Sequence, residues 1–140
     1  MAAPFVTPHA VEAAFYRAFQ ELDLELMDRV WGDDPQSVCV HPGGDLLRGK
    51  PAVLQSWSEI FASARRPTLV HRTLQTLEDG PLAIHLVEEM IRPGGEAGAK
   101  ATRVLATNVY RREADGWRML THHASLPVVT SRPKSPEKLH

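Results

Sequence analysis

Two adjacent histidines, His122 and His123, are the side chains of this sequence most suited to acid and base chemistry, because imidazole titrates near neutral pH. They fall in a segment that reads as a strand, where successive side chains point to opposite faces of a sheet. One is therefore expected to face the interior, although alternation does not decide which. We take His123 as a candidate catalytic residue; the alternative is a histidine whose nitrogens only satisfy core or interface hydrogen bonds.

A second adjacent pair, Glu88 and Glu89, also lies in a predicted strand and must point to opposite faces. A carboxyl group turned into an apolar interior has a raised pKa and can serve as a general base. Alternation does not decide which of the two faces inward, and we take Glu89 as the second candidate catalytic residue. The alternative is a cross-strand ion pair with Arg103, Arg111 or Arg118.

Asn108 interrupts a strand that is otherwise built for burial. A buried amide must be hydrogen-bonded, either to an oxygen of a ligand or to a neighbour such as His123 or Tyr110. We place Asn108 and Tyr110 among the candidate ligand-binding residues.

Trp57 and His41 complete the candidate ligand-binding set. Trp57 shares a helical face with Ile60 and Phe61 and could form a pocket wall, although tryptophans at such positions are usually core. His41 ends an apolar run just before Pro42, where its imidazole could either point into a pocket or tie down the turn.

Metal binding finds no support in the spacing of the histidines. His71 and His85 occupy consecutive predicted strands, but a three-histidine site would require convergence with His41 or His123, and no His-x-Glu or His-x-x-x-His motif is present. The single cysteine, Cys39, excludes an internal disulfide and a zinc site built from several thiolates. We therefore predict neither a metal nor a cofactor.

The elements that must position these residues follow from periodicity. Apolar residues at helical spacing, with cap and breaker residues at the ends, predict three helices. Period-two runs separated by turn residues predict a short hairpin and then an antiparallel meander of four strands. The helices are expected near 8–22, 23–31 and 51–64, the hairpin at 37–48, and the strands at 68–77, 82–92, 101–112 and 117–126.

Length and charge narrow the class of protein. One hundred and forty residues suit one domain, which we predict over 1–140, with a core of about 8–126 and a flexible tail over 127–140. The formal charge of -1 argues against nucleic acid as a partner, and no apolar run is long enough to cross a membrane. The start of the sequence lacks the features of a secretory signal, so a cytoplasmic location is expected.

Helices segregated from a long antiparallel sheet indicate an α+β fold. A curved sheet with helices on one side makes a cone, and the open end of a cone is a natural pocket for a small ligand.

Several segments of the sequence resemble the nuclear transport factor 2 superfamily, most closely its SnoaL-like bacterial proteins. The resemblance rests on Trp31 together with the segments 38–44, 49–57, 106–112 and 116–125. The last two strands are also similar to the association domain of calcium/calmodulin-dependent protein kinase II. The resemblance implies a cystatin-like cone of three helices on a strongly curved, mainly antiparallel sheet, usually dimerising through the outer face of that sheet.

The resemblance implies a range of activities, since this fold is only loosely connected to function. Our first hypothesis is a small-molecule-binding SnoaL-like protein, acting as a cofactor-independent isomerase, cyclase, dehydratase or hydrolase with an acid/base residue in the cone. The alternative is a non-enzymatic ligand-binding or oligomeric association module, forming a homodimer through the sheet.

Overall fold

Two helices open the chain, and a third follows a short hairpin before the long strands begin. The computed structural model describes residues 5–95 and 97–128, so most of the expected tail, from residue 129 onward, lies outside the described residues. The elements are α1 (Pro8–Glu21), α2 (Leu24–Val30), β1 (Val38–Val40), β2 (Leu47–Arg48), α3 (Lys50–Ser63), β3 (Thr68–Asp79), β4 (Leu82–Arg92), β5 (Thr102–Glu113) and β6 (Gly116–Ser125).

Local signals in the sequence set the ends of the helices. The Thr7 hydroxyl accepts a hydrogen bond from the Ala10 amide at 3.1 Å and caps α1. The Asp23 carboxylate accepts from the Leu26 amide at 3.0 Å and caps α2 in the same way. Gly49 precedes α3 with a φ of 82°, a conformation that glycine adopts without steric cost.

The six strands form one sheet in the order β2-β1-β6-β5-β4-β3. β3 to β6 are a continuous antiparallel meander, and β1 pairs antiparallel with β2, so both sequence predictions are confirmed. The parallel pairing of β1 with β6 was not predicted. It brings the turn after β1, with His41, next to the end of the meander.

A β-bulge in β6 changes which residues face the interior. Tyr110 pairs with Met119 and Val109 pairs with Thr121, so Leu120 is an extra residue without a partner on β5. Met119 is buried on the inner face, and beyond the bulge the inward residue is His122. The bulge therefore shifts the alternation by one residue.

The helices cover the concave face of the sheet, and the core lies between these layers. The largest buried side chains come from every part of the fold, including Phe15 on α1, Trp57 on α3, Tyr110 on β5 and Met119 on β6. The sheet is curved and unclosed, with β2 and β3 at its edges. The predicted α+β fold is confirmed. The helices in the described part of the chain fall short of what a membrane crossing demands.

Candidate functional site

Four buried side chains form a continuous hydrogen-bonded network across the interior. Asn108 on β5 stands in the middle: its Oδ1 lies 2.6 Å from His122 Nδ1, and its Nδ2 donates to the Tyr16 hydroxyl at 3.0 Å. The Tyr16 hydroxyl donates in turn to Glu89 Oε2 at 2.6 Å. We call His122, Asn108, Tyr16 and Glu89 the buried network.

The hydrogen bonds of the buried network all point in one direction, from His122 toward Glu89. The amide nitrogen of Asn108 can only donate, so Asn108 Oδ1 is the acceptor and His122 Nδ1 carries the proton. Each donor therefore points along the path that ends at Glu89. The network leaves Glu89 as the terminal acceptor, a group that can take up a proton.

The elements bring the network together through the contact of α1 with β4. Residues four apart on a helix share a face, and so do residues four apart on a strand. On α1 these are Glu12 and Tyr16, and on β4 they are His85 and Glu89. Glu12 Oε2 lies 2.9 Å from His85 Nδ1, so two hydrogen-bonded pairs join the helix to the strand.

Glu89 is buried, with 1% of its surface exposed. Burial raises the pKa of its carboxyl group from 4.5 to about 7, because the charged form is poorly solvated there, and the hydrogen bond from Tyr16 opposes part of that rise. Burial also raises the pKa of the Tyr16 hydroxyl well above 10, and the nearby charge of Glu89 adds to it. Tyr16 therefore stays protonated while Glu89 titrates near neutrality.

His122 is held in its neutral form. Burial lowers the pKa of its imidazole to about 3, and the neighbouring His41 and His123 contribute in the same direction. A neutral ring with its proton on Nδ1 donates to Asn108 without adding a charge to the interior. His122 is thus a fixed hydrogen-bond donor to the network and not a titrating acid near pH 7.

Trp57 on α3 lies against the buried network from the helical side. Its ring centroid is 6.2 Å from that of His122 and 4.7 Å from that of His41. Its indole Nε1 is buried and finds no hydrogen-bond partner among the described residues. An unsatisfied buried N–H is costly, so this donor is available to an acceptor oxygen that enters the interior.

His41 ties the turn after β1 to α3. The Ser56 hydroxyl donates to the Val53 carbonyl at 2.6 Å, so His41 Nε2, 2.9 Å from Ser56 Oγ, is the donor in that second contact. Burial lowers the pKa of His41. These contacts hold the His41 ring edge-on against the Trp57 indole.

A cavity of about 610 Å³ opens at one end of the cone. It lies between the carboxyl-terminal ends of α1 and α3 and the turn that follows β4, and its lining includes Phe19, Ile60, Arg65 and Ile91. We call it the mouth cavity. None of the four network residues lines it.

The candidate site residues lie one layer below the mouth cavity. Tyr16 precedes Phe19 by three residues on α1, about 4.5 Å along a helix. Glu89 precedes Ile91 by two residues on β4, about 6.6 Å along a strand. Trp57 likewise lies one turn below Ile60 on α3 and contacts Phe19, with ring centroids 5.1 Å apart.

The structure corrects the expected position of His123. The bulge at Leu120 turns His122 inward, and His123 is exposed on the outer face of the sheet, where it lines a cavity of about 390 Å³. His123 therefore does not share the interior with Glu89. The hydrogen-bond partners expected for Asn108, His123 or Tyr110, are likewise replaced by His122 and Tyr16.

The remaining predicted residues take the following positions. Glu88 points outward and pairs with Arg103 at 2.7 Å and with Arg72 at 3.4 Å, so the ion-pair alternative describes Glu88 alone. Tyr110 is buried beside His85, with ring centroids 5.0 Å apart, two residues from Asn108 on the same strand. The ligand-binding roles of Asn108, Tyr110, Trp57 and His41 stay predictions.

Sequence reasoning missed Tyr16 and Glu12. Both lie on α1, which sequence reasoning identified from its apolar residues at helical spacing, a set that includes neither of them. The available signal was their spacing of four residues next to that stripe, which places a hydroxyl and a carboxylate toward the sheet. Their partners Glu89 and His85 are each 73 residues away in sequence, so no local motif marks the pairs.

Comparison with protein families gives one match that covers most of the chain. A family profile described as SnoaL-like domain matches residues 9–129. Among curated proteins, the F-box protein SKIP8 of Arabidopsis thaliana is 24% identical over 120 residues, which are 86% of this chain and 49% of that protein. The chain therefore spans about half the length of this relative.

Two solved structures are similar in both sequence and fold. One, from Thiobacillus denitrificans, is described as a candidate calcium/calmodulin-dependent protein kinase type II association domain; it is 40% identical, with a TM-score of 0.84, covering 91% of this chain and 100% of that chain. The other, from Streptomyces avermitilis, is described as a candidate dehydratase of the NTF2-like family; it is 30% identical, with a TM-score of 0.78, covering 85% of this chain and 92% of that chain.

Proposed function

The chain belongs to the family of SnoaL-like domains, and on that premise we propose that it binds a small, largely apolar carbonyl compound at the mouth of its cone and moves a proton within that compound. Glu89 is the base in this proposal. The observation that carries it is a buried carboxyl group whose pKa is about 7, one layer below an open cavity. A base of this pKa combines a large ionised fraction at neutral pH with a useful affinity for the proton.

The proposed step is removal of a proton from the carbon next to the carbonyl group. The Glu89 carboxylate takes the proton, the C–H electron pair moves into the enolate, and the negative charge gathers on the former carbonyl oxygen. Trp57 Nε1, a buried donor without a partner among the described residues, supplies a hydrogen bond to that oxygen. Isomerisation, cyclisation and dehydration share this first step, and a hydrolase would instead use the same base on water.

The buried network supports the role of Glu89 by fixing its position. The Tyr16 hydroxyl holds Oε2 at 2.6 Å, and Asn108 and His122 hold Tyr16 in turn. A carboxylate held from one side presents its other oxygen to the ligand with little loss of side-chain entropy. We propose that Tyr16 and His122 are positioning residues and do not touch the ligand.

Entry of the ligand requires movement of the layer between the mouth cavity and Glu89. Phe19, Ile60 and Ile91 form that layer, and all three are only partly buried. Arg65 stands at the rim of the same cavity. Its guanidinium favours compounds that carry a carboxylate at the end remote from the reacting carbon.

Exchange of ligand protons with solvent tests the proposed step without knowledge of the product. The protein is incubated in D₂O with a panel of cyclic ketones and keto acids, and loss of the α-proton signal is followed by NMR. We expect catalysed exchange with at least one compound and a loss of about 10²- to 10⁴-fold in Glu89→Gln. The rate should rise with pH through about 7, because only the carboxylate is a base.

Matched variants separate this proposal from a general effect on the fold. Glu88→Gln changes the neighbouring carboxylate, which points outward to Arg103, and should leave exchange unchanged. Trp57→Phe removes the proposed hydrogen-bond donor and should slow exchange. Trp117→Phe, which also replaces an indole buried in the core, is its control and should leave exchange unchanged. Equal exchange in wild type and Glu89→Gln, or no exchange with any compound, would contradict the proposed activity.

A second candidate function, a non-enzymatic association module, rests on the outer face of the sheet. Large apolar side chains are exposed there, and the relative that is 40% identical is described as an association domain. We propose a second copy of this chain as the partner for this face. The exposed apolar residues of β3 and β4 are Val70, Leu74, Leu77, Leu82, Ile84 and Leu86.

Sedimentation separates the association proposal from the enzymatic one. Ile84 on the sheet and Leu24 on α2 are each 37% exposed, so Ile84→Lys and Leu24→Lys are matched substitutions. We expect a dimer at micromolar concentration for wild type and Leu24→Lys, and a monomer for Ile84→Lys. A monomeric wild type would contradict the interface, and dimerisation without any exchange activity would favour the association module.

A further inference from the structure

Three potential metal ligands meet where α1 passes over β4, outside the buried network. They are His9 and Glu12 from α1 and His85 from β4, and one ligand atom of each lies within 4.8 Å of those of the other two. We propose that His9, Glu12 and His85 form a binding site for a divalent transition-metal ion of the zinc class. This inference is independent of the proposed proton transfer.

Unsatisfied polar atoms at this position indicate that the site accommodates a further group. Glu12 Oε1 and His85 Nε2 are buried and have no hydrogen-bond partner within the described part of the chain. Buried polar atoms are nearly always paired, so these two atoms and the buried Tyr110 hydroxyl beside His85, which also lacks a partner among the described residues, call for a further polar group. Glu12 is 2% exposed and His85 is fully buried.

The existing hydrogen bond decides what kind of occupant fits. His85 Nδ1 is 2.9 Å from Glu12 Oε2, close to the separation of roughly 3.3 Å between two ligands of one tetrahedral ion. An ion in place of the proton shared by these two atoms would be held by both, with Glu12 Oε1 beside it as a second carboxylate ligand, and its charge would offset that of the buried carboxylate.

His9 supplies the third ligand from the solvent side. It is exposed in the first turn of α1, three residues before Glu12, and its ring centroid lies 4.7 Å from that of His85. Ligands of tetrahedral zinc at about 2.0 to 2.1 Å are roughly 3.3 Å apart, so the site must contract. The exposed His9 side chain is free to make that movement, and its exposure leaves room for a water ligand.

A hydrogen bond outside the ligand set orients the carboxylate. The Thr73 hydroxyl on β3 donates to Glu12 Oε2 at 2.9 Å and helps to hold the carboxylate in place. Two imidazoles and one carboxylate are the donor set that zinc and related ions favour, whereas calcium and magnesium favour oxygen ligands. The chemistry of the donors therefore points to the zinc class.

Calorimetric titration with zinc chloride tests the site directly. Tag-free protein is stripped with a chelator and titrated, together with His9→Ala, Glu12→Gln and the control His123→Ala. We expect one zinc ion per chain in wild type, an affinity at least about tenfold lower in His9→Ala, and no change in His123→Ala. His9 and His123 are both exposed, so these two variants should fold alike.

Three results would overturn the site. They are absence of zinc binding by wild type, an unchanged affinity in His9→Ala, and an equal loss of affinity in His9→Ala and His123→Ala. Because Glu12 is buried and its substitution could impair folding, circular dichroism of Glu12→Gln accompanies its titration. Visible absorption of the cobalt-substituted protein gives a second readout: the spectrum of a nitrogen- and oxygen-ligated ion should form in wild type and be lost in His9→Ala.

Discussion

Replacing Glu89 with glutamine should change how the stability of the protein depends on pH. Burial raises the pKa of the Glu89 carboxyl from 4.5 to about 7, so between these values the native protein holds a proton that the unfolded chain has lost. The free energy of unfolding must then fall as the pH rises through this window. At about 1.4 kcal/mol for each pH unit, the loss amounts to about 3 kcal/mol.

Glutamine keeps an oxygen that accepts from Tyr16 but has no proton to lose. Urea denaturation of wild type and Glu89→Gln, at steps from pH 4.5 to 8, yields the difference in their free energies of unfolding. We use the difference between the two free energies of unfolding because His122 contributes to both proteins. With its pKa lowered to about 3, His122 contributes a stability that rises with pH between about 3 and 6.5. His71, which pairs with Glu89 across β3 and β4, is likewise present in both proteins.

We expect the difference to move by about 3 kcal/mol in favour of Glu89→Gln between pH 4.5 and 8. Glu88→Gln is the control: the ion pair with Arg103 lowers the pKa of Glu88, so its titration lies below this window. A difference between wild type and Glu89→Gln that does not vary with pH would refute the raised pKa and, with it, the assignment of Glu89 as a base near neutrality.

Three further substitutions test the buried network. Tyr16→Phe removes the hydrogen bond that lowers the pKa of Glu89, so the carboxyl should titrate at a higher pH than in wild type, as measured by carbon NMR of the side chain. Asn108→Ala leaves His122 Nδ1 without an acceptor, while the Tyr16 hydroxyl keeps its bond to Glu89, and should lower the free energy of unfolding by about 1–3 kcal/mol in urea titrations. His122→Gln removes an imidazole that must stay neutral when folded. The variant should therefore retain its structure to a lower pH than wild type, followed by circular dichroism between pH 6.5 and 3; acid unfolding at the same pH would contradict the lowered pKa of His122.

Most of the fold could be predicted because its determinants are local. The helical stripe of α1 ends at Leu22, and the turns at 80 and 95 separate strands whose bounds differ little from those expected. The parallel pairing of β1 with β6 depends on how the hairpin packs against the end of the meander. No residue pattern in either strand specifies that contact.

The orientation of the histidine pair could not be predicted because it depends on one inserted residue. Strict alternation places His123 on the same face as Trp117 and Met119, whereas the bulge at Leu120 gives that face to His122. A bulge is set by the pairing of two strands, and the sequence of β6 carries no glycine or proline at this point to mark it.

Other parts of the site followed from single residues that break a pattern. Asn108 was identified because an amide interrupts a buried strand, and Glu89 because it belongs to an adjacent pair of carboxylates that point to opposite faces, although the pattern does not say which of the two faces inward. The structure places both in the interior, with Trp57 nearby. Tyr16 was missed because its partner Glu89 is distant in sequence, and a tyrosine beside an apolar helical stripe is more often an ordinary core residue.

The indole proton resonance of Trp57 provides the most direct test of a ligand-binding interior. The sequence has three tryptophans, so nitrogen–proton NMR spectra of the protein contain three indole signals. The signal that is lost in Trp57→Phe belongs to Trp57. On addition of the ketone and keto acid panel, we expect at least one compound to shift the Trp57 signal to lower field, as its N–H gains an acceptor, while the Trp117 signal stays in place. Saturating additions that leave the Trp57 signal unmoved, or that perturb only residues on the outer face of the sheet, would contradict the account.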